Sequence, residues 1–191
     1  MRFQDALEMD LPVEQIFPFF ADLEKWFRLN PQWQVLSFSG EPAFREGGAF
    51  VLEVEYDRSD EKAAYEGRIT ELEPGRRLSL SLTGNLRRDL TIQVLPTRTV
   101  SLLKYWEEGD RPLTDRDRME LHLWLKSTAN YILVSHRTSL VSRVWRWFLD
   151  RYWLNLSPSG RRTVFFVVAA EGLSLVFFLL ILIWILLFKR V

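Results

Sequence analysis

The sequence predicts an α+β domain, built on an antiparallel sheet of about seven strands, followed by one C-terminal transmembrane helix. Much of residues 33–106 alternates between apolar and polar side chains, which is typical of strands with one buried face. Residues 113–157 contain neither glycine nor proline, which favours long helices. Residues 164–188 hold one carboxylate and no basic side chain, so they read as a membrane span.

Composition removes several classes of function. Acidic and basic residues balance at 25 each, and no basic stretch predicts nucleic acid as a partner. The absence of cysteine excludes disulfides, thiol catalysis and cysteine-ligated metals. His122 and His136 have no matching ligand cluster, so neither a metal site nor a cofactor is predicted. The N-terminus lacks the apolar run of a signal peptide, and none is expected.

The first thirty residues predict one strand and two short helices. Arg2–Met9 alternates weakly, as a strand does. Leu11–Ala21 has apolar residues at helical spacing, with Pro18 expected to shorten or bend the helix. Asp22 is a candidate N-cap for a second helix, Leu23–Leu29.

Six further segments have the two-residue period of strands and are separated by short turns, which predicts an antiparallel meander. They are Trp33–Ser39, Ala49–Tyr56, Ala63–Leu72, Arg77–Thr83, Arg88–Leu95 and Arg98–Trp106. Alternation places Leu52 and Val54 on the same face as Phe50. On this reasoning the inward face of the sheet should be almost free of polar atoms.

A long helix is expected after Thr114, which with Asp117 resembles a capping box. The polar residues 135–139 should interrupt it, with Ser139 capping a second helix. That second helix is amphipathic, with aromatic residues opposite Arg143 and Asp150. Its apolar face could lie on a membrane surface or pack on the domain, and both interpretations stay open.

Residues 164–188 are long enough to cross a hydrocarbon core of roughly 30 Å. Basic and aromatic side chains precede them, as at a membrane interface. These predicted interface residues are Arg143, Trp145, Arg146, Trp147, Tyr152, Trp153, Arg161 and Arg162. Together with Lys189 and Arg190, they predict a single-pass protein, anchored in the bilayer at its C-terminus, with its N-terminal domain in the cytoplasm.

Glu171 lies about two turns inside the predicted span, where an ionised carboxylate is costly. Ala170 and Ser174 form a step of small residues beside it that would let another helix approach closely. We therefore expect this segment to contact other transmembrane helices. The alternative is that Glu171 lies near enough to the interface to reach water.

Three segments, 11–17, 22–33 and 65–78, resemble the helix-grip superfamily, which includes START domains, birch-pollen-allergen-like proteins and polyketide cyclases and is often called SRPBCC. The resemblance covers residues 1 to about 134. It implies a helix-grip fold, in which a curved antiparallel sheet surrounds a long C-terminal helix, with two short helices after the first strand. The expected organisation is then a helix-grip domain at 1–134, an amphipathic juxtamembrane helix at 135–162 and an anchor at 163–191.

The resemblance also implies an apolar cavity between sheet and helix that takes lipids, quinones or similar hydrophobic molecules. Its predicted lining is Phe19, Phe20, Trp26, Phe50, Leu52, Val54, Tyr56, Tyr65, Leu80, Leu82, Ile92, Val94 and Trp124. The predicted function is a membrane-tethered binding module for a hydrophobic small molecule. One alternative is an accessory subunit of a larger membrane complex. The other is a cyclase- or dehydratase-like enzyme, which ranks last because no polar residues are predicted to converge on the inward face.

Overall fold

A computed structural model describes residues 2–40, 44–57, 61–98, 100–110 and 112–188. The chain divides into two units, Met1–Asn155 and Leu156–Val191. The first unit is an α+β domain and the second contains a single long helix.

The strands are β1 Arg2–Met9, β2 Trp33–Gly40, β3 Ala49–Tyr56, β4 Lys62–Glu73, β5 Arg77–Thr83, β6 Arg88–Pro96 and β7 Ser101–Gly109. The helices are α1 Val13–Ile16, which continues as a 3-10 helix Phe17–Ala21, then α2 Leu23–Arg28, α3 Asp115–His136, α4 Leu140–Arg151, a 3-10 turn Trp153–Asn155, and α5 Pro158–Phe188. The order of elements agrees with the sequence-based prediction.

All seven strands form one antiparallel sheet in the order β1-β7-β6-β5-β4-β3-β2. The meander from β2 to β7 is confirmed, and β1 joins it beside β7. Register shifts between Val35 and Ser37 and between Ile69 and Glu71 are bulges that bend their strands. The resulting sheet carries α3 on its apolar face, where Leu121, Trp124 and Ile132 are buried.

The predicted first helix, Leu11–Ala21, is shortened near Pro18, as expected, and it also changes type. Its α-helical turn is Val13–Ile16, and the chain continues from Phe17 in 3-10 geometry with Pro18 in the first turn. Proline has no N–H to donate and clashes with the preceding turn of an α-helix. The tighter 3-10 form accommodates Pro18 here and still buries Phe17 and Phe20.

The last strand begins and ends three residues later than predicted, at Ser101–Gly109 instead of Arg98–Trp106. Thr97 and Val100 close a tight turn in which both the N–H and the hydroxyl of Thr97 donate to the Val100 carbonyl. The turn postpones pairing with β6 to Ser101. The shift matters because it adds Glu107 to the strand.

Aromatic rings fill the space between α3 and the sheet. Trp124 stacks on Trp26 with ring centroids 5.0 Å apart, and its indole N–H donates to the Trp26 carbonyl at 3.1 Å. Phe27 packs against both tryptophans, and Trp33 lies 5.8 Å from Trp124. Helix α2 is thereby fastened to α3 by aromatic rings and by one hydrogen bond.

Helices α3 and α4 each begin at the N-cap residue that the sequence predicts. The Thr114 hydroxyl accepts from the Asp117 N–H while the Asp117 carboxylate accepts from the Thr114 N–H, a complete capping box. Ser139 caps α4 by accepting from the Ser142 N–H. One polar interval therefore separates two helices, as the sequence indicated.

Helix α5 is 31 residues long. Its portion Pro158–Ile185 is long and apolar enough to cross a membrane, judged by length and composition. The basic residues Lys189 and Arg190, which follow the predicted span, lie outside the described residues, as do residues 58–60 of one predicted turn.

Candidate functional site

A cleft of about 540 Å³ opens at one end of the domain. It lies where β2 begins, β3 ends and β4 begins, and it is closed by the β5–β6 hairpin, the end of β7 and the first turns of α3. Its wall includes Asn30, Trp33, Tyr56, Ala63, Tyr65, Leu86, Arg88, Glu107, Leu113, Glu120 and Leu121. Polar and apolar side chains share this wall, and a volume of this size suits a small molecule.

A buried ion pair lies in the wall of the cleft. Glu107 is only 1 % exposed. Its Oε1 accepts a hydrogen bond from Nε of Arg88 at 2.7 Å and lies at the same distance from Nη2 in an ion pair. The other carboxylate oxygen, Oε2, accepts from the Tyr105 hydroxyl. Both oxygens of the buried carboxylate thus have donors, as burial of a charge requires.

Three aromatic side chains continue the wall from this ion pair. The Arg88 guanidinium lies 5.4 Å from the centre of the Trp33 ring, within the range of a cation–π contact. Trp33 stacks on Tyr65, and the Tyr65 and Tyr56 hydroxyls are hydrogen-bonded to each other. The cleft therefore presents hydroxyl groups and a guanidinium beside flat aromatic surface.

The surroundings of the ion pair shift the pKa values of two side chains, Tyr105 and Arg88. Burial, reinforced by the negative charge of Glu107, raises the pKa of the Tyr105 hydroxyl well above its usual value. Burial, the largest single influence, lowers the pKa of Arg88, but Glu107 together with Tyr105, Tyr65 and Tyr56 outweighs burial and raises that pKa above its usual value. Arg88 is thus a fixed cation in the wall of the cleft, and Tyr105 is a fixed hydrogen-bond donor to Glu107.

The raised pKa of Tyr105 predicts how stability depends on pH. A group whose pKa is higher in the folded state contributes stability below its unfolded value, near pH 10, and that contribution is lost as the pH rises toward the folded value. We expect wild type to lose more stability above pH 10 than the Tyr105→Phe variant. Urea unfolding of both proteins between pH 8 and pH 11 measures the difference, and Tyr131, present in both, contributes equally to both. Identical slopes of unfolding free energy against pH would contradict the raised pKa of Tyr105.

The buried ion pair corrects the expectation that the inward face is almost free of polar atoms. Alternation continued to the ends of β6 and β7 places Arg88 on the face of Leu90 and Ile92, and Glu107 on the face of Leu103 and Tyr105. The signal was therefore in the sequence. It was missed because the predicted last strand ended at Trp106, one residue short of Glu107.

The residues predicted to line a cavity are distributed over three places. Tyr56 and Tyr65 lie on the cleft. Phe19 lines a separate, more open depression of about 430 Å³ beside Lys25 and Tyr131. The other ten are packed in the core, each at most 5 % exposed: Phe20, Trp26, Phe50, Leu52, Val54, Leu80, Leu82, Ile92, Val94 and Trp124.

The predicted membrane-facing residues lie on α4, on the short segment that follows it, and on α5. Trp145, Trp147, Tyr152 and Arg143 are exposed, while Trp153 is half-buried and Arg146 donates to the Ser135 carbonyl. Arg161 and Arg162 belong to the first turns of α5, and Ala170, Glu171 and Ser174 lie along its middle with exposed side chains.

Both histidines have hydrogen-bond partners within the domain. His122 is bonded through Nδ1 to Asp5 at 2.7 Å on the surface, and His136 contacts the Ile132 carbonyl. Among the described residues no group of three or more histidine or acidic side chains could hold a metal ion.

Comparison with solved structures shows what the domain resembles. Protein CV1439 from Chromobacterium violaceum is 25% identical and superposes with a TM-score of 0.55 over 69% of this chain and 96% of its own. TTHA0849 from Thermus thermophilus is 14% identical, with a TM-score of 0.55 over 72% of this chain and 100% of its own. Ara h 8.0201 is 14% identical, with a TM-score of 0.51 over 70% of this chain and 97% of its own.

These likenesses agree with the topology described above, and the chain has the helix-grip fold. No family model matches the sequence, and no curated protein matches it. The structural features that bear on function are therefore the cleft and the helices that follow the domain.

Proposed function

We propose that this protein is a membrane-tethered binding module for an amphiphilic small molecule, one with an apolar body and a polar end. The observation that carries the proposal is the cleft of about 540 Å³ with an ion pair in its wall. Leu86, Leu113 and Leu121 offer apolar contact at the cleft, while Tyr56 and Arg88 offer hydrogen-bond donors for a polar group. A lipid or quinone with an oxygen-bearing end can accept hydrogen bonds from these side chains, which a pure hydrocarbon cannot do, so the amphiphilic ligand fits better.

The helix-grip fold supports assigning the chain to the SRPBCC superfamily, as the sequence resemblance suggests. The packed interior changes which part of that fold would hold the ligand. Trp26, Phe27 and Trp124 occupy the space beneath α3. The proposed site is therefore the cleft at the end of the domain. There the ligand would lie against Trp33 and Tyr65 with its polar end toward Arg88.

The tether is α5, which has the length and composition of a span. Basic residues ahead of it favour an N-terminal domain on the cytoplasmic side. Tethering would keep the cleft close to a bilayer in which an amphiphilic ligand is dissolved. This raises the local concentration of ligand around the site in the same way that a linker does.

The buried carboxylate bears on whether the chain is an enzyme. Glu107 is an acid in the wall of the cleft, which is what a cyclase or dehydratase would use. However, Arg88 donates to one of its oxygens and Tyr105 to the other, so both oxygens already have hydrogen-bond donors within the protein. The arrangement favours binding and orientation of a ligand over proton transfer.

A second candidate function is that of an accessory subunit in a membrane complex. The observation that favours it is Glu171, exposed in the apolar helix α5 with Ala170 and Ser174 nearby. Pairing with a polar group of another helix would remove the cost of that carboxylate. Membrane proteins that co-purify with wild type but not with Glu171→Leu would support this role.

The binding proposal is tested by native mass spectrometry of the full chain, purified gently from its own membranes, with lipid extraction of the same sample. A stoichiometric amphiphilic adduct is expected in wild type. Leu113→Trp, which enlarges a half-buried side chain on the cleft, should lose the adduct. Met119→Trp, at a position 59 % exposed on α3 and away from the cleft, should keep it. An empty wild type, or an adduct that survives in Leu113→Trp, would refute the proposal.

A further inference from the structure

Helix α4 is amphipathic, yet it faces the domain with its polar side. Asp150 accepts a hydrogen bond from the Tyr131 hydroxyl and lies 3.8 Å from the Lys25 ammonium. The Arg146 guanidinium donates to the Ser135 carbonyl at 2.7 Å. Leu149 is the apolar side chain of α4 that packs partly against the core.

The apolar side of α4 points away from the domain. Val141 is 79 % exposed, Val144 66 %, Trp145 51 % and Trp147 59 %. Leu140 and Tyr152, at the two ends, are also exposed. Amphipathic helices of globular domains normally show the opposite arrangement, with the apolar side toward the core. A contiguous exposed apolar face of this kind marks a surface that something else covers.

We propose that the bilayer surface covers this face, so that α4 lies in the headgroup region of a membrane containing anionic lipids. Continuity along the chain is the first reason. Only residues 152–157 separate α4 from α5, and six residues reach at most about 20 Å. If α5 spans a membrane, α4 lies within that distance of its surface.

The composition of the face is the second reason. Tryptophan and tyrosine, here Trp145, Trp147 and Tyr152, are the side chains that membrane interfaces favour, because they combine apolar rings with a polar group. Arg143 and Arg151 are exposed on the same helix and can reach lipid phosphates while their stems stay against apolar surface. A protein partner would not require this combination, whereas an interfacial helix typically has it.

The consequence is a fixed orientation of the domain. Because Asp150 is bonded to Tyr131 on α3 and close to Lys25 on α2, α4 cannot turn over without breaking these contacts. A helix held in this way would dock the whole grip domain on the bilayer in one orientation. This inference requires α5 to be the tether but does not depend on what the cleft binds.

Absence of cysteine from the chain allows an unambiguous test with the full protein. Single cysteines at Val141 and Val144 carry an environment-sensitive fluorophore, and Met119→Cys on α3, also exposed, is the matched control. The proteins are reconstituted into phosphatidylcholine vesicles containing phosphatidylglycerol, with or without a lipid bearing a nitroxide at the top of its acyl chain.

Probes at Val141 and Val144 should emit at shorter wavelength than the probe at Met119 and should be quenched by the nitroxide lipid, while the Met119 probe is not. Equal emission at all three positions would show the face in water and overturn the proposal. A blue shift at Val141 and Val144 without lipid quenching would also overturn it, because a protein would then cover the face.

The role of charge has its own readout in the same vesicles. Quenching at Val144 should be stronger with phosphatidylglycerol than in pure phosphatidylcholine, and the Arg143→Gln/Arg151→Gln variant should lose that difference. Both arginines are exposed, so these changes leave the domain folded, which the unfolding midpoint checks. A lipid preference unchanged in the double variant would refute the contribution of the arginines.

The adduct measured by mass spectrometry is a separate readout, so failure of one proposal is distinguishable from failure of the other.

Discussion

Replacing Arg88 with methionine is expected to lower the free energy of unfolding by about 3–5 kcal/mol, because it leaves a buried carboxylate without its cation. Glu107 is 1 % exposed, and its carboxylate is hydrogen-bonded to and ion-paired with the Arg88 guanidinium. Removal of the guanidinium leaves the Tyr105 hydroxyl as the donor that remains near it. Urea unfolding of the full chain in detergent micelles, followed by tryptophan fluorescence, measures the loss.

Two further variants separate the unpaired charge from simple loss of a side chain. Arg87→Ala removes the neighbouring arginine, which pairs with Asp89 in solvent at 3.1 Å, and should cost less than about 1 kcal/mol. Arg88→Met combined with Glu107→Gln removes both charges but leaves an acceptor for Tyr105, so it should recover more than half of the loss. A double variant as unstable as Arg88→Met would contradict the explanation.

Trp124→Ala should cost about 3–5 kcal/mol of unfolding free energy, the range for deleting a large aromatic side chain from a core. Trp124 is 2 % exposed and touches the rings of Trp26, Phe27 and Trp33. Its indole N–H also satisfies the Trp26 carbonyl. The variant would remove the side chain that fastens α2 to α3 and would leave a large void between them.

The adjacent residue on α3 provides the control. Leu123 is 42 % exposed, so Leu123→Ala deletes a similarly apolar side chain from the same helix without opening a cavity, and it should change stability by about 0.5 kcal/mol or less. Trp124→Phe should fall between the two. If Trp124→Ala were no more destabilising than Leu123→Ala, the packing beneath α3 would not be as described.

The sequence could predict the elements well because their signals are local. Pro18 shortened its helix, Thr114 and Ser139 capped theirs, and the strands followed the alternation of their side chains. Each of these effects depends on residues a few positions apart.

The cleft was harder to predict because it depends on contacts between distant strands. Arg88 contacts Glu107 only because β6 and β7 pair in one register. A polar residue at the end of a strand is normally assigned to the surface when its partner is unknown, even if alternation places it on the inward face. Whether rings leave a cavity or fill it depends on their packing, as at Trp26 and Trp124. Alternation gives the direction of a side chain but no information on the space left around it.

The pairing of β1 with β7 also sets the order of events during synthesis. Arg2 is opposite Glu108 in the sheet, so the ribosome must add more than a hundred residues before the first strand meets its neighbour. At about 5–20 residues per second this takes at least several seconds. Helix α5 follows the whole domain along the chain. The domain can therefore fold before the ribosome releases α5. If α5 spans a membrane, as proposed above, its insertion would then follow the folding of the domain.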